Sequence, residues 1–346
     1  MIKIDDHAQT DLDQLANDHY NRLIGTLLLD GVNYHSTQSL IGRIRRQRDI
    51  DAAIPDQTRV DFWDYLLDNS FTKLKQIITG RPSVLRALIK EIENKFGAAF
   101  FSINLNYNKA SVTPFGEIIK TVFNYNLYRS TSACRDNCDQ FRLSYCPYCN
   151  EQTTQIITLI NGLTGLNEKR ALLQLDHFYP QSRHPYLSVS FFNMIPGCTP
   201  CNTHLKQEKN FDILTHFNPF DKRLDDYFAF ELGSVLLQSE DDVQFSYVNK
   251  SVFPNNSIVD FKIINRYVHR SHKRMIFNFF QTFKNHSSKV NRSLAAQIKG
   301  LFTTDSKKIL LLDMYNVPTK RNEINDVQLG KLKRDIAIQL GVLKKI

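Results

Sequence analysis

The chain has 346 residues and a formal net charge of +9, with 42% apolar and 23% charged residues. At roughly 150 residues per domain this length suggests about two domains, and the apolar share excludes a disordered chain. With 11 Pro and 13 Gly it is not collagen-like or dominated by linkers.

No apolar run approaches the ~18–20 residues that span a bilayer. The opening Met1-Ile2-Lys3-Ile4-Asp5-Asp6 lacks the basic end and apolar stretch of a secretion signal. The expected setting is therefore the cytoplasm, with no membrane partner. There, six cysteines point to metal or redox chemistry before disulfides. The positive charge is uneven: residues 251–346 hold 18 Lys+Arg against 6 Asp+Glu, and residues 1–250 hold 26 against 29. A basic C-terminal block favours a polyanionic partner, nucleic acid before membrane, although a solvated helical surface carries the same charges.

In chain order, residues 8–30 predict a helix from Leu12, Leu15, Tyr20, Leu23, Ile24, Leu27 and Leu28. A basic helical segment near Arg43–Arg48 ends before Pro55. Two more helices follow at 60–78 and 82–96, the latter opened by Pro82, and another at 115–128. Residues 1–130 thus read as a helical region with no chemistry of their own. Between 131 and 222 cysteine, histidine and proline become dense, and short apolar runs replace amphipathic ones. From 223 to 346 the chain is basic and mainly helical. Phe228–Leu237 and Val243–Val248 predict a hairpin around Glu240-Asp241-Asp242. A long helix is expected over 259–285. One face of it is apolar and the other carries Lys262, Arg266, Arg270, Lys273 and Arg274 for phosphates.

Two pairs have metal-ligand spacing, Cys146-Pro147-Tyr148-Cys149 and Cys198-Thr199-Pro200-Cys201. Two such turns close a tetrahedral Zn²⁺ site, and four thiolates fill it, so this zinc is structural. Cys134 and Cys138 sit just upstream and read as small buried side chains. Inside the frame lie Leu175-Asp176-His177-Phe178-Tyr179-Pro180 and Asn193-Met194-Ile195-Pro196, and the second pair runs into Asn202.

In this order the sequence resembles the HNH, or ββα-metal, endonucleases. It looks closest to the zinc-stapled bacterial branch, over about residues 144–221; the flanks are similar to HNH effectors of anti-phage systems such as Septu and some retrons. The resemblance implies that His177 is the general base and that Asp176 and Asn202 hold a catalytic Mg²⁺ or Mn²⁺. It further implies that Asn193 holds the loop and orients the histidine. The third motif position, usually His, is Asn202 here, a hard oxygen ligand suited to Mg²⁺ or Mn²⁺. Lys206 falls one residue later than the usual lysine and would contact a phosphate. His204 is a spare ligand on another face, and His184 and His216 read as surface or core histidines.

The expected fold is α+β: a mostly helical chain with a central ββα-metal (HNH) core stapled by a zinc site of four cysteines. The implied divisions are a helical region (1–130), a nuclease domain (131–222) and a basic C-terminal region (223–346). The implied activity is cleavage of nucleic acid, DNA favoured over RNA, leaving 5′-phosphate and 3′-hydroxyl ends, in defence against phage with a partner ATPase or sensor. With one active centre per core, double-strand breaks require a homodimer or two nicks. The rival readings are an autonomous sequence-specific restriction enzyme and a non-catalytic zinc-stapled module that binds nucleic acid or protein.

Overall fold

A computed structural model describes residues 2–29, 32–160, 165–233, 237–254, 256–287, 316–340 and 343. The fold is α+β: helices and, among the described residues, five two-stranded sheets, each antiparallel. No described helix is long and apolar enough to cross a membrane. The chain separates into two compact units, one of Lys3–Arg142 with Thr154–Asp221, the other of Met1–Ile2, Leu143–Thr153 and Lys222–Ile346. One unit boundary falls between Asp221 and Lys222, and residue 130 lies inside a unit.

In the first unit, α1 (Leu12–Ile24) starts on Asp11, whose carboxylate accepts from the amides of Asp13 and Gln14. The predicted helix 8–30 stops early because Gly25 adopts φ +50°. Leu27 and Leu28 belong instead to β1 (Thr26–Leu29), paired with β2 (Val32–His35). α2 (Leu40–Asp51) and α3 (Gln57–Leu67) follow. The single helix expected over 60–78 is broken at Ser70 and Phe71, both left-handed, and resumes as α4 (Thr72–Thr79). α5 (Pro82–Phe96) begins on its proline as expected. After β3 (Ser102–Ile103) and β4 (Ser111–Val112), the predicted 115–128 helix is α6 (Pro114–Phe123) and α7 (Tyr125–Ser130), divided at left-handed Asn124. α8 (Ser132–Gln140) carries Cys134 and Cys138, whose thiols hydrogen-bond each other; that bond lowers the pKa of Cys134 and raises that of Cys138. β5 (Gln155–Ile160) pairs with β6 (Asn167–Leu172), and β7 (Gln174–His177) with β8 (Met194–Gly197). Seven residues, Pro200–Lys206, then form α9, wound widely enough that the Gln207 amide reaches the Asn202 carbonyl five residues back at 2.9 Å.

The core of this unit joins the helical region to the segment between β7 and β8. Phe62 meets Trp63, Phe101 and Phe115 edge-on at 5.2–5.8 Å, and Tyr186 closes on Phe101 at 5.1 Å. The helices of residues 1–130 therefore do more than stand beside the Asp-His segment: they supply the wall on which it is laid.

In the second unit, β9 (Phe228–Leu232) pairs with β10 (Phe245–Asn249) around the acidic turn, as predicted. The long helix expected over 259–285 is three: α10 (Asn256–Asp260), α11 (Ile263–Tyr267) and α12 (Arg270–Ser287). Lys262, at φ 51°, divides the first two. α13 (Gly330–Gln339) packs against β9, with the Asp335 carboxylate accepting from the Phe230 amide at 2.9 Å. Its Lys331 ammonium is buried between Asp225 at 2.7 Å and Asp335 at 2.8 Å. The basic residues at 288–315 lie outside the described residues.

Candidate functional site

Asp176 and His177 are the last residues of β7, in register with Ile195 and Met194. The ladder extends one step beyond, with the Phe178 amide donating to the Asn193 carbonyl at 2.9 Å. Asn193 is fully buried and clamps the chain that leaves the strand. Its Oδ1 accepts from the Tyr179 amide at 2.7 Å, and its Nδ2 donates to the carbonyls of Tyr179 at 3.0 Å and Leu187 at 3.2 Å. Asn193 thus ties the loop to the end of the strand.

The imidazole is oriented by other residues. His177 Nε2 lies 2.8 Å from the Ser188 carbonyl, which only accepts, so Nε2 carries the proton. Nδ1 is then the basic nitrogen; the Gln181 side-chain amide reaches both ring nitrogens, at 2.8 Å from Nε2 and 3.3 Å from Nδ1. The Tyr125 ring meets the imidazole edge-on at 4.6 Å. Burial pushes the His177 pKa down to about 4, against the Ser188 carbonyl and Asp176, which raise it. The side chain is therefore neutral at physiological pH and able to accept a proton. Gln181 follows His177 by four residues, a spacing that could have flagged it. Nothing in the sequence marks Ser188 or Tyr125.

Asp176 is buried with Lys206, whose ammonium stands 3.0 Å from Asp176 Oδ1 and donates to the His177 carbonyl at 2.6 Å. The same ammonium lies 5.1 Å above the Phe211 ring. Lys206, expected to reach a phosphate, is only 1% exposed and spends its charge on Asp176. On α9, Asn202 Nδ2 donates to Gln174 Oε1 at 3.0 Å, and the Thr203 hydroxyl donates to the same oxygen at 2.7 Å. This pins the amide and leaves the Asn202 carbonyl oxygen as its acceptor.

Cys146, Cys149, Cys198 and Cys201 are all buried, with ligand atoms within 4.8 Å of one another. That spacing suits four Zn–S bonds of about 2.3 Å around one ion, and the group can hold a metal ion. Each pair sits on a tight turn. The Asn150 amide donates to the Cys146 carbonyl at 2.7 Å, and the Asn202 amide to the Cys198 carbonyl at 3.0 Å. Asn150, left-handed and fully buried, also ties the first turn to the C-terminal residues. Its Nδ2 donates to the carbonyls of Ile324 and Val327, and its Oδ1 accepts from the Lys331 amide. Tyr148 stacks on Phe261 at 4.5 Å, and the Tyr267 hydroxyl donates to the Cys149 carbonyl at 2.6 Å.

The remaining residues fall elsewhere. His216 is stacked on Phe211 at 3.8 Å and His184 is buried beside Tyr186, so both are core histidines, while His204 is exposed on α9. The expected basic face is not continuous. Lys262 is exposed between α10 and α11, and Arg266 pairs with Glu151. Arg270 and Arg274 share Glu240 at 3.0 and 2.8 Å, and Lys273 approaches the Asp241 carbonyl at 3.4 Å. The acidic turn between β9 and β10 thus offsets part of the charge assigned to phosphates. Comparison of the chain with protein-family models, curated proteins and solved structures gives no match.

Proposed function

We propose that this chain is an HNH endonuclease that hydrolyses phosphodiester bonds of DNA with Mg²⁺ or Mn²⁺, its ββα-metal core being β7, β8 and α9. The observation that carries the reading is His177: it ends β7 beside a buried aspartate, neutral, with one nitrogen fixed on a carbonyl and the other basic. His177 Nδ1 takes the proton of the attacking water, and the Ser188 carbonyl stabilises the imidazolium that forms. Asp176 and Asn202 would hold the cation through oxygen. Bound there, the cation supplies Lewis-acid stabilisation of the departing oxygen. Gln174 keeps the Asn202 oxygen in place, and Asn193 keeps the loop that carries Ser188. The four-cysteine zinc site is structural in this reading. A role as a defence effector working with a partner ATPase or sensor rests on the sequence resemblance alone.

Supercoiled plasmid incubated with the protein and Mn²⁺ or Mg²⁺ is expected to be nicked. His177→Ala should slow this at least ~10²-fold while leaving DNA binding intact. Undiminished cleavage by a folded His177→Ala protein would move the base elsewhere. The Asp176–Lys206 pair favours a second reading, a zinc-stapled binding module, because a carboxylate neutralised by lysine needs no cation. That protein would bind the plasmid and leave it intact under every metal.

A further inference from the structure

A pocket of about 290 Å³ opens beside His177. Three residues of its wall, Tyr125, Gln181 and Ser188, are those that surround the imidazole. Asn124, between α6 and α7, and Asn126, the exposed second residue of α7, add to it. Glu117 and Lys120 of α6 complete the rim and neutralise each other at 3.1 Å. Ser188 is 1% exposed, yet its hydroxyl has no hydrogen-bond partner among the described residues. An unsatisfied buried hydroxyl costs stability unless a ligand completes it.

The chemistry of this wall selects its ligand. A phosphate would call for an unpaired cation, and the lysine here is already paired. Carboxamides from Asn124, Asn126 and Gln181 offer both donors and acceptors, and Tyr125 offers a flat ring. Burial raises the Tyr125 hydroxyl pKa to about 12, so the ring stays neutral. Such a set matches the edge and face of a nucleobase. The volume admits one nucleotide and not a stacked base pair, so the base must leave its stack to enter.

We propose that this pocket is a nucleobase subsite, holding one unstacked nucleotide next to the phosphate presented to His177. It rests on the nuclease reading for its place in a reaction, though its binding can be measured without cleavage. Tyr125 and Asn126 are then specificity-determining residues, and the preferred substrate is single-stranded nucleic acid or duplex with an unpaired base.

The test uses the full-length protein in two assays. Fluorescence anisotropy without added Mg²⁺ or Mn²⁺ compares a labelled single strand with its duplex, for the wild type, Tyr125→Ala and Asn126→Asp. The single strand should bind more tightly; Tyr125→Ala should weaken it about tenfold, the loss of roughly one stacked base, and Asn126→Asp by a similar factor, the loss of about one hydrogen bond to the base edge. Asn126 is exposed, so Asn126→Asp gives a readout even where Tyr125→Ala folds poorly. Cut positions mapped on mixed-sequence DNA with Mn²⁺ should favour one flanking base, and Tyr125→Ala should flatten that preference. Weakened binding by the variants without any wild-type cleavage would keep the subsite and remove the nuclease reading. Single-strand affinity unchanged in Asn126→Asp and in folded Tyr125→Ala overturns the subsite, whether or not the plasmid is cut.

Discussion

Lys206 is the residue whose position departs furthest from what its motif suggests. A lysine one helical turn beyond Asn202 suggests a phosphate contact. The wide winding of α9 turns it inward, where Asp176, the His177 carbonyl and the Phe211 ring surround its ammonium. Two charges that are each 1% exposed face one another: removing one strips the other of its buried counter-charge, a loss of about 3–5 kcal/mol. Lys206→Met should therefore lower the thermal midpoint markedly in metal-free buffer. If Asp176 ligates a cation, millimolar Mg²⁺ or Mn²⁺ should return part of that stability by taking over the charge. Denaturation curves with and without metal check this. A variant equally destabilised in both would mean that the pair is structural only.

At the scale of elements, the connection between β7 and β8 concentrates imidazoles that are buried or half-buried. His177 opens it, His184 lies within it, and His19 of α1 reaches across to the Val189 carbonyl at 2.8 Å. Burial is the main cause that lowers all three, His19 and His177 to about 4 and His184 to about 3. Their folded pKa values lie below the unfolded value near 6.5, so as pH falls the unfolded chain takes up protons first. Stability should be complete above about pH 6.5 and decline as pH falls through about 4, on the order of 3 kcal/mol for His19 alone. His19→Gln keeps a donor for Val189 and removes the titration. Amide exchange of residues 178–193 between pH 7 and 4 should accelerate less in this variant than in the wild type. Equal acceleration in both would show that His19 does not titrate there.

How much of these elements could be read beforehand follows the range of the forces that set them. α5 and the β9–β10 hairpin were legible because proline, alternation and an acidic turn are local signals. The breaks at Lys262 and before Arg270 were not, since no glycine or proline marks them. Stacking of Phe261 on Tyr148, the Tyr267 hydroxyl on Cys149 and Arg266 on Glu151 fix that path over more than 100 residues of sequence. In the proposed site, the two cysteine pairs announced themselves by type and spacing, and Asp176, His177 and Asn193 by the resemblance of their order to the HNH motif. The backbone carbonyl of Ser188 could not, because every residue has one.

Across the whole molecule the cysteine group makes the broadest demand. Elemental analysis should find about one Zn²⁺ per chain, and Cys146→Ser or Cys201→Ser should lose metal and lower the thermal midpoint together. Well-folded protein free of zinc would exclude the assignment. A further consequence comes from Asn150, whose hydrogen-bonding partners Ile324, Val327 and Lys331 lie some 180 positions further along the chain. On the ribosome these are made well after the turn they complete. At 5–20 residues per second the first cysteine turn waits roughly 10–35 s with its carboxamide unsatisfied. A polypeptide truncated before residue 324 never supplies them, so expression of 131–222 by itself should give an insoluble or protease-sensitive product. The first cysteine turn is in this sense completed by residues translated long after it.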